Sequence, residues 1–563
     1  MTTVRRSDNP VRTSSEPQVK QQPPTAGSAP AKATTETKSP ANTAKPTATA
    51  DAFVAKTAAA PADPKAQIDQ QLQRANVPAD QRSRINEHLK GLSGEPLQRE
   101  LKLLDHALKS PNADRAVATY DKLLSLSKDN KKAQERLTPE IREALVNGVA
   151  DARTGEATGL EGILGRRQAE QAARALVDMP DDVYNQTREV LDKAAQGKDG
   201  LPVAKSDASA ERALILKAVA ARSDRLKDSW MDSAKRFLGF GGSTEADNTM
   251  KEIKSFADDI RGLNRTELIR TTTPIDVEAA NTSTVDPNNL RDNTDASGDN
   301  DGLFQRWNDS CGPTTAQITC GEADPIYARQ LHKNGLNNAS PNSATAQEQR
   351  RVLEDVGGGT AVSRLGLQAS ERIGGQLDAA QRAKELTGEQ RTAVNKFVNN
   401  QPLTAAEQTK ADEGLALLRR RDGGHPTPAE VDAMRANAGK NGNGMVLDKA
   451  LNDITKQSTH IDYKTHGVGS NGVTDETLKQ WDSRLKDGQD VPIRVSNASN
   501  SGGHFMMVND VRGEGDNRRY LISDPWSGKT AWVSRDELLD PSKDAIDKNF
   551  GVGWDRVTHY YTE

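Results

Sequence analysis

The amino-acid sequence predicts an α+β chain: a disordered tail over residues 1–63, an all-helical region over 64–265, a linker over 266–300, and a C-terminal domain over 301–563. In that domain an antiparallel sheet is interrupted by a helical insertion at about 340–445. Three observations carry this reading. The start is almost free of aromatic residues, the middle repeats capped apolar stripes at helical spacing, and beyond residue 490 the apolar period becomes extended. With 34% hydrophobic and 4% aromatic residues against 28% charged, the 563 residues hold too little apolar mass for one continuous core.

Residues 1–63 are dominated by Pro, Ala, Thr, Ser and Lys, with Phe53 as the only aromatic, and cannot bury enough surface to offset their ordering entropy. Eight basic and four acidic residues over the first 60 are too dilute for a membrane-anchoring basic patch. No window approaches the roughly 20 apolar residues of a membrane span, and the first residues lack the apolar stretch of a secretory signal. The expectation is a chain without a membrane span, cytoplasmic or exported without a conventional signal peptide. A net charge of −4 with both signs interspersed gives no electrostatic reason for a nucleic-acid partner.

From Asp63-Pro64 onward the helix signals begin: a capping residue, proline at the first helical position, then Ile68 and Leu72 on one face. Leu101, Leu104 and Leu108 form another stripe. Thr138-Pro139 opens a helix carrying Ile141, Leu145 and Val149. Such stripes normally pack inward, so this region is assigned no chemistry. Residues 266–300 lose the apolar period and end in the acidic run Asp292 to Gly302. A calcium loop there would need a carboxylate near Asn308 and a helix on each side, so no metal is assigned.

Fourteen of the chain's 21 aromatic residues lie beyond 300, and all of these but Phe397 fall outside the interval between Tyr327 and Tyr463. The second core is therefore expected at the two ends of the C-terminal region, with the polar interval at about 340–445 as helical elaboration. Strands are expected at Val491–Val495, His504–Val511, Arg519–Asp524, Thr530–Val533 and Trp554–Tyr561, in an antiparallel meander.

Only two cysteines occur, which excludes a disulfide framework. Cys311 stands at a helix start, Ser310-Cys311-Gly312-Pro313, where free backbone N–H groups and the helix dipole favour a thiolate. On that feature alone, a small buried hydrophobe is an equally good reading. Cys320, nine residues on, is about 13.5 Å further along the helix and half a turn out of phase, and reads as packing. The base candidate is His504, which follows Gly502-Gly503 and enters an apolar strand. A hairpin turning on Glu514 would pair Val508 with Tyr520, Met506 with Ile522 and His504 with Asp524. Imidazole and carboxylate would then meet across adjacent strands, as a base and its orienting partner must. His460 and His466 are rival bases, though neither enters a clear apolar strand.

These residues carry a resemblance. Gln305 six residues before Cys311-Gly312-Pro313, a later Gly503-His504 entering a strand, and Asp524-Pro525 ending the next strand resemble the papain-like cysteine peptidases. Within them the chain is most similar to the bacteriocin-processing, double-glycine peptidases. The resemblance covers residues 301–563 only. It implies Cys311 as nucleophile, His504 as general base and acid, Asp524 as its orienting partner, Gln305 as oxyanion donor beside the Cys311 backbone N–H, a polypeptide substrate, and no metal or organic cofactor. Two features depart from it: the helix after Cys311 meets Gly321 and Asp324-Pro325 early, and 193 residues separate Cys311 from His504. The same triad would also serve a glutamine deamidase or a transglutaminase-like toxin, and the fold without activity would serve as an interaction scaffold. A leaderless, Pro- and Thr-rich start is compatible with a bacterial effector, whose partners would include secretion machinery or host proteins.

Overall fold

The computed structural model describes residues 64–151, 162–227, 244–275, 302–305, 310–336, 343–357, 386–398, 401–417, 463–469, 472–496, 503–513, 515–525, 528–540, 545–550 and 556–562. The tail predicted over 1–63, the acidic run of the linker up to Asp301, and much of the predicted insertion lie outside these residues.

The chain is mixed helix and sheet. The helices between Pro64 and Thr271 form where the stripes predict them, because each stripe has a core to enter. Ile68 and Leu72 are buried on the helix Pro64–Arg74. Leu101 and Leu104 are buried on Gly94–Lys109. Ile141, Leu145 and Val149 are buried on Pro139–Ala150, whose first free N–H groups include that of Ile141, donating to the Thr138 hydroxyl. The helical pattern extends past its predicted end. Asn264 and Glu267 form a capping box that starts a helix at Arg265–Thr271, and Leu268 and Ile269 join the same core, so the first residues of the predicted linker are structural.

Six strands form one antiparallel sheet: β1 (Lys464–Gly467), β2 (Val491–Ser496), β3 (Gly503–Arg512), β4 (Arg519–Asp524), β5 (Lys529–Ser534) and β6 (Arg556–Thr562), in the order β1-β6-β2-β3-β4-β5. It differs from a simple meander in two ways. The last strand returns to pair with β2, and β1, too short and too exposed to show an apolar alternation, pairs with β6 at the edge. One face packs Ile493, Met506, Val508 and Ile522 against Leu478, Trp481 and Leu485 of the helix Asp475–Lys486. On the other face Met507, Leu521 and Trp532 meet Ile318, and Phe505 meets Cys311 and Ala316, all on the helix Cys311–Ala323.

The β3–β4 register also departs from the simple hairpin. Val508 pairs with Ile522 and Met507 with Ser523, whereas beyond a bulge at Asn509 Val511 pairs with Tyr520. The turn is displaced toward a single 3₁₀ turn at Gly515–Asn517, where Gly513 and Gly515 adopt φ of 73° and 55°. Continuing the pairing puts Met506, not His504, opposite Asp524.

The sheet and the helical region belong to one compact unit, Pro61–Glu563. Arg222 donates to Asp324 at 2.5 Å and to Glu252 at 3.2 Å, and Arg329 donates to Asp259 at 2.8 Å. Arg166 donates to Asp487 at 2.6 Å. Arg222 is 6% exposed and Asp324 fully buried, so neither charge has water as an alternative partner. Replacing Arg222 with Ala strands a buried carboxylate and should lower unfolding free energy by about 3–5 kcal/mol in urea titrations. The exposed Lys479, loosely paired with Glu476, should change it by less than about 0.5 kcal/mol when made Ala. Equal effects of the two substitutions would refute this assignment.

Candidate active site

Cys311 is the first residue of the helix Cys311–Ala323 and is 8% exposed. Ser310 precedes it, and its carbonyl accepts from the Thr314 N–H at 2.9 Å and the Thr314 hydroxyl at 2.8 Å, which closes the first turn. The thiol thus sits where helix N–H groups point outward and the helix dipole is positive.

His504 begins β3 beside Gly503 and pairs with Val495 of β2. A Cβ on Gly503 would stand 2.9 Å from Nε of the flexible Arg494 side chain, which packs over the glycine. His504 is 1% exposed, and its Nε2 lies 2.7 Å from Oδ1 of the fully buried Asp524. Because of the shifted register, the contact is diagonal across β3 and β4, a separation that a long side chain such as imidazole can bridge. The Cys311 side chain also acts on the His504 ring, favouring its protonated form. With Nε2 engaged by Asp524, Nδ1 is the ring nitrogen that remains for the sulfur.

Burial by itself favours the neutral imidazole. The hydrogen bond His504 donates to Asp524, the interaction with Cys311, and the Asp524 charge override it and raise His504 from 6.5 to about 10. A protonated imidazole beside the Asp524 carboxylate is therefore favoured at this buried position.

Gln305 is 2% exposed, and its N–H donates to the Pro525 carbonyl at 2.6 Å, directly after Asp524. The segment bearing the predicted oxyanion donor is thereby joined to the end of β4. All four residues singled out in the sequence are buried. His504 joins Cys311 to Asp524 through side chains, and Gln305 is tied to the same strand end through the backbone.

The rival residues are placed elsewhere. Cys320 is fully buried inside the same helix, and both cysteines are free thiols. His466 sits on the edge strand β1, 2.8 Å from the Thr562 hydroxyl and stacked on Tyr560. His460 lies outside the described residues.

A set of polar residues behind the thiol has no signature in the sequence. Gln317 on the Cys311 helix, Tyr327 on the next helix, and Glu348 and Gln349 on the helix Ala344–Gly357 form a hydrogen-bonded chain reaching Ser310. Their stretch, Thr345-Ala346-Gln347-Glu348-Gln349, reads as solvated helix, and nothing in its spacing signals that Gln349 is fully buried.

Compared with protein families, curated proteins and solved structures, the chain matches none.

Two outcomes follow from this geometry. At pH 7 iodoacetamide should alkylate Cys311 at least ~10-fold faster than Cys320, read by peptide mass spectrometry, and His504→Ala should remove the difference. Equal labelling in the native protein would sink the activated-thiol assignment. The second outcome concerns stability. His504 is raised on folding, so its contribution is fully present below pH 6.5 and is lost as pH rises through about 10. Urea midpoints of the wild-type protein should fall between pH 7 and 10 relative to Asp524→Asn, in which the main interaction raising His504 is removed; parallel curves would contradict it.

Proposed function

We propose that the chain is a papain-like cysteine peptidase whose catalytic unit is formed by residues 301–563. The observation that carries this reading is His504, hydrogen-bonded to Asp524 at 2.7 Å and acted on by the Cys311 side chain at a helix start. A structural histidine needs one partner. One held between a carboxylate and a thiol is arranged for proton transfer.

In this reaction the Cys311 sulfur attacks the scissile carbonyl carbon, and the carbonyl π electrons move onto oxygen. The Cys311 backbone N–H and the Gln305 side chain stabilise that oxyanion. The His504 imidazolium gives its proton to the leaving amine as the C–N bond breaks, leaving a thioester. Neutral His504 then takes a proton from water, the hydroxide adds to the thioester carbon, and collapse releases the new carboxylate and the thiolate. Asp524 keeps the ring oriented throughout and stays ionised.

The same steps acting on a side-chain carboxamide would give deamidation, and the mass of the product separates the two reactions. Proteome-wide detection of new termini, with wild-type protein against Cys311→Ala, should find cleavages that depend on Cys311. Unbroken substrates shifted by about one dalton would overturn peptide-bond specificity while retaining the triad. With a cleaved substrate in hand, Gln305→Ala should lower kcat by about 10²–10³-fold, the usual effect of losing one oxyanion donor.

A further inference from the structure

We propose that Gln349 is a positioning residue of the oxyanion site, holding the backbone next to Gln305 and the residue next to Cys311 in fixed relation. This rests on the peptidase reading above. Gln349 is fully buried on the helix Ala344–Gly357, which precedes His504 by some 150 residues of chain. Its Nε2 donates to the Phe304 carbonyl at 3.3 Å and to Gln317 Oε1 at 2.9 Å, and its Oε1 accepts from the Ser310 hydroxyl at 3.3 Å. Phe304 is the residue before Gln305 and Ser310 the residue before Cys311. One side chain therefore bridges the two chain segments that must converge on the same oxygen.

The direction of this bridge is set by groups that have no choice. The Phe304 carbonyl can only accept, so it requires the Gln349 amide nitrogen. The Glu348 carboxylate accepts from Gln317 Nε2 at 2.6 Å and from the Tyr327 hydroxyl at 2.5 Å. Burial, together with the Glu348 charge, holds Tyr327 protonated well above its ordinary range, so it remains a donor. Gln317 must then turn its Oε1 toward Gln349, which again requires the Gln349 nitrogen on that side. Both constraints leave Gln349 Oε1 facing Ser310. Each donor of both amides is used, Gln317 also donating to the Thr345 carbonyl at 3.4 Å. A largely buried network whose amide donors are all used in this way has one low-energy arrangement.

An oxyanion site acts only if its donors are aimed before the charge develops. Acyl transfer needs that site; alkylation at carbon does not. The two reactions of the same sulfur thus separate positioning of the oxyanion donors from activation of the thiol. In the acyl-transfer probe, the Sγ–C bond forms at the carbonyl carbon of p-nitrophenyl acetate and the C–O bond breaks to release p-nitrophenolate. The thiol proton leaves through His504 to solvent.

The test measures Cys311 acetylation by p-nitrophenyl acetate and its alkylation by iodoacetamide in the full chain, each by mass spectrometry. Gln349→Met keeps the side-chain length and removes the hydrogen bonds. It should slow acetylation ~10–100-fold, and Gln305→Ala, which removes the donor itself, at least as much, while alkylation stays within about twofold. The double variant should lose little more than either single one, since both act on one site. Ser310→Ala, which deletes one hydroxyl, should slow acetylation by a smaller factor, about 3–10-fold, and serves if Gln349→Met does not fold. An unchanged acetylation-to-alkylation ratio in Gln349→Met, or in Ser310→Ala where that variant serves, beside a lowered one in Gln305→Ala, overturns the positioning role alone. So does an equal fall in both reactions, which marks general loosening. Wild-type protein that is not acetylated at Cys311, or is acetylated equally without Gln305, overturns the peptidase reading itself.

Discussion

The buried contact between His504 and Asp524 is the constraint around which the C-terminal part of the chain is arranged. A carboxylate that is fully buried and an imidazole that is 1% exposed have both lost their water, a loss costing several kcal/mol for each ion. The 2.7 Å hydrogen bond between them recovers that cost only if β3 and β4 hold their register. The bulge at Asn509 belongs to the same constraint, because it sets which β4 residue the strand end meets. Asn509 is itself fully buried, accepts from the Ser523 hydroxyl at 2.6 Å, and donates to Asp490 at 3.4 Å. The bulged position is thus fastened to β4 one residue before Asp524.

The helix start that bears Cys311 and the strand end that bears His504 meet at one place. The helix start is fixed by secondary structure, and the strand end by tertiary pairing. Their convergence requires the helix Cys311–Ala323 to lie flat against β3, and the apolar contacts supply that: Ala316 and Phe505 near the thiol, Ile318 and Met507 further along. Among small and β-branched residues such as Thr314, Thr315 and Thr319, a helix can approach a sheet closely, and all three are buried. The hydroxyls of Thr314 and Thr319 return to the carbonyls four residues back, so their burial leaves the helix ladder intact.

How much of this was legible in the sequence depends on the range of the interaction. Thr138-Pro139 and Cys311-Gly312-Pro313 are local signals, and helices start at both. The strands Val491–Ser496 and Arg519–Asp524 announce themselves through β-branched and aromatic residues between turn residues. The hairpin arithmetic went astray because it assumed the tightest turn and no bulge, and neither is encoded in an apolar alternation. His504 nevertheless reaches Asp524, since a shift of two residues keeps both on the same face and leaves them diagonal neighbours. Gln349 and Glu348 were invisible for a different reason. A glutamine in a polar helix has the same local appearance whether it faces water or another buried amide. Arg222 and Asp324 are 102 residues apart and equally silent in sequence.

The helix carrying Cys311 is held at both ends by different parts of the chain. At its start, Gln349 takes the Ser310 hydroxyl. At its end, Asp324 accepts the Ile326 N–H that starts the next helix and receives Arg222 from the helical region, while Ile326 itself enters the core of that region. A short helix of 13 residues with glycines at its second and eleventh positions has little stiffness of its own. Anchors at both termini supply what its sequence does not. The helical region therefore bears on the position of Cys311: it fixes the far end of the helix whose near end bears the sulfur. On this account the long polar segment between Cys311 and His504 is not mere elaboration either, because its first helix closes the near end.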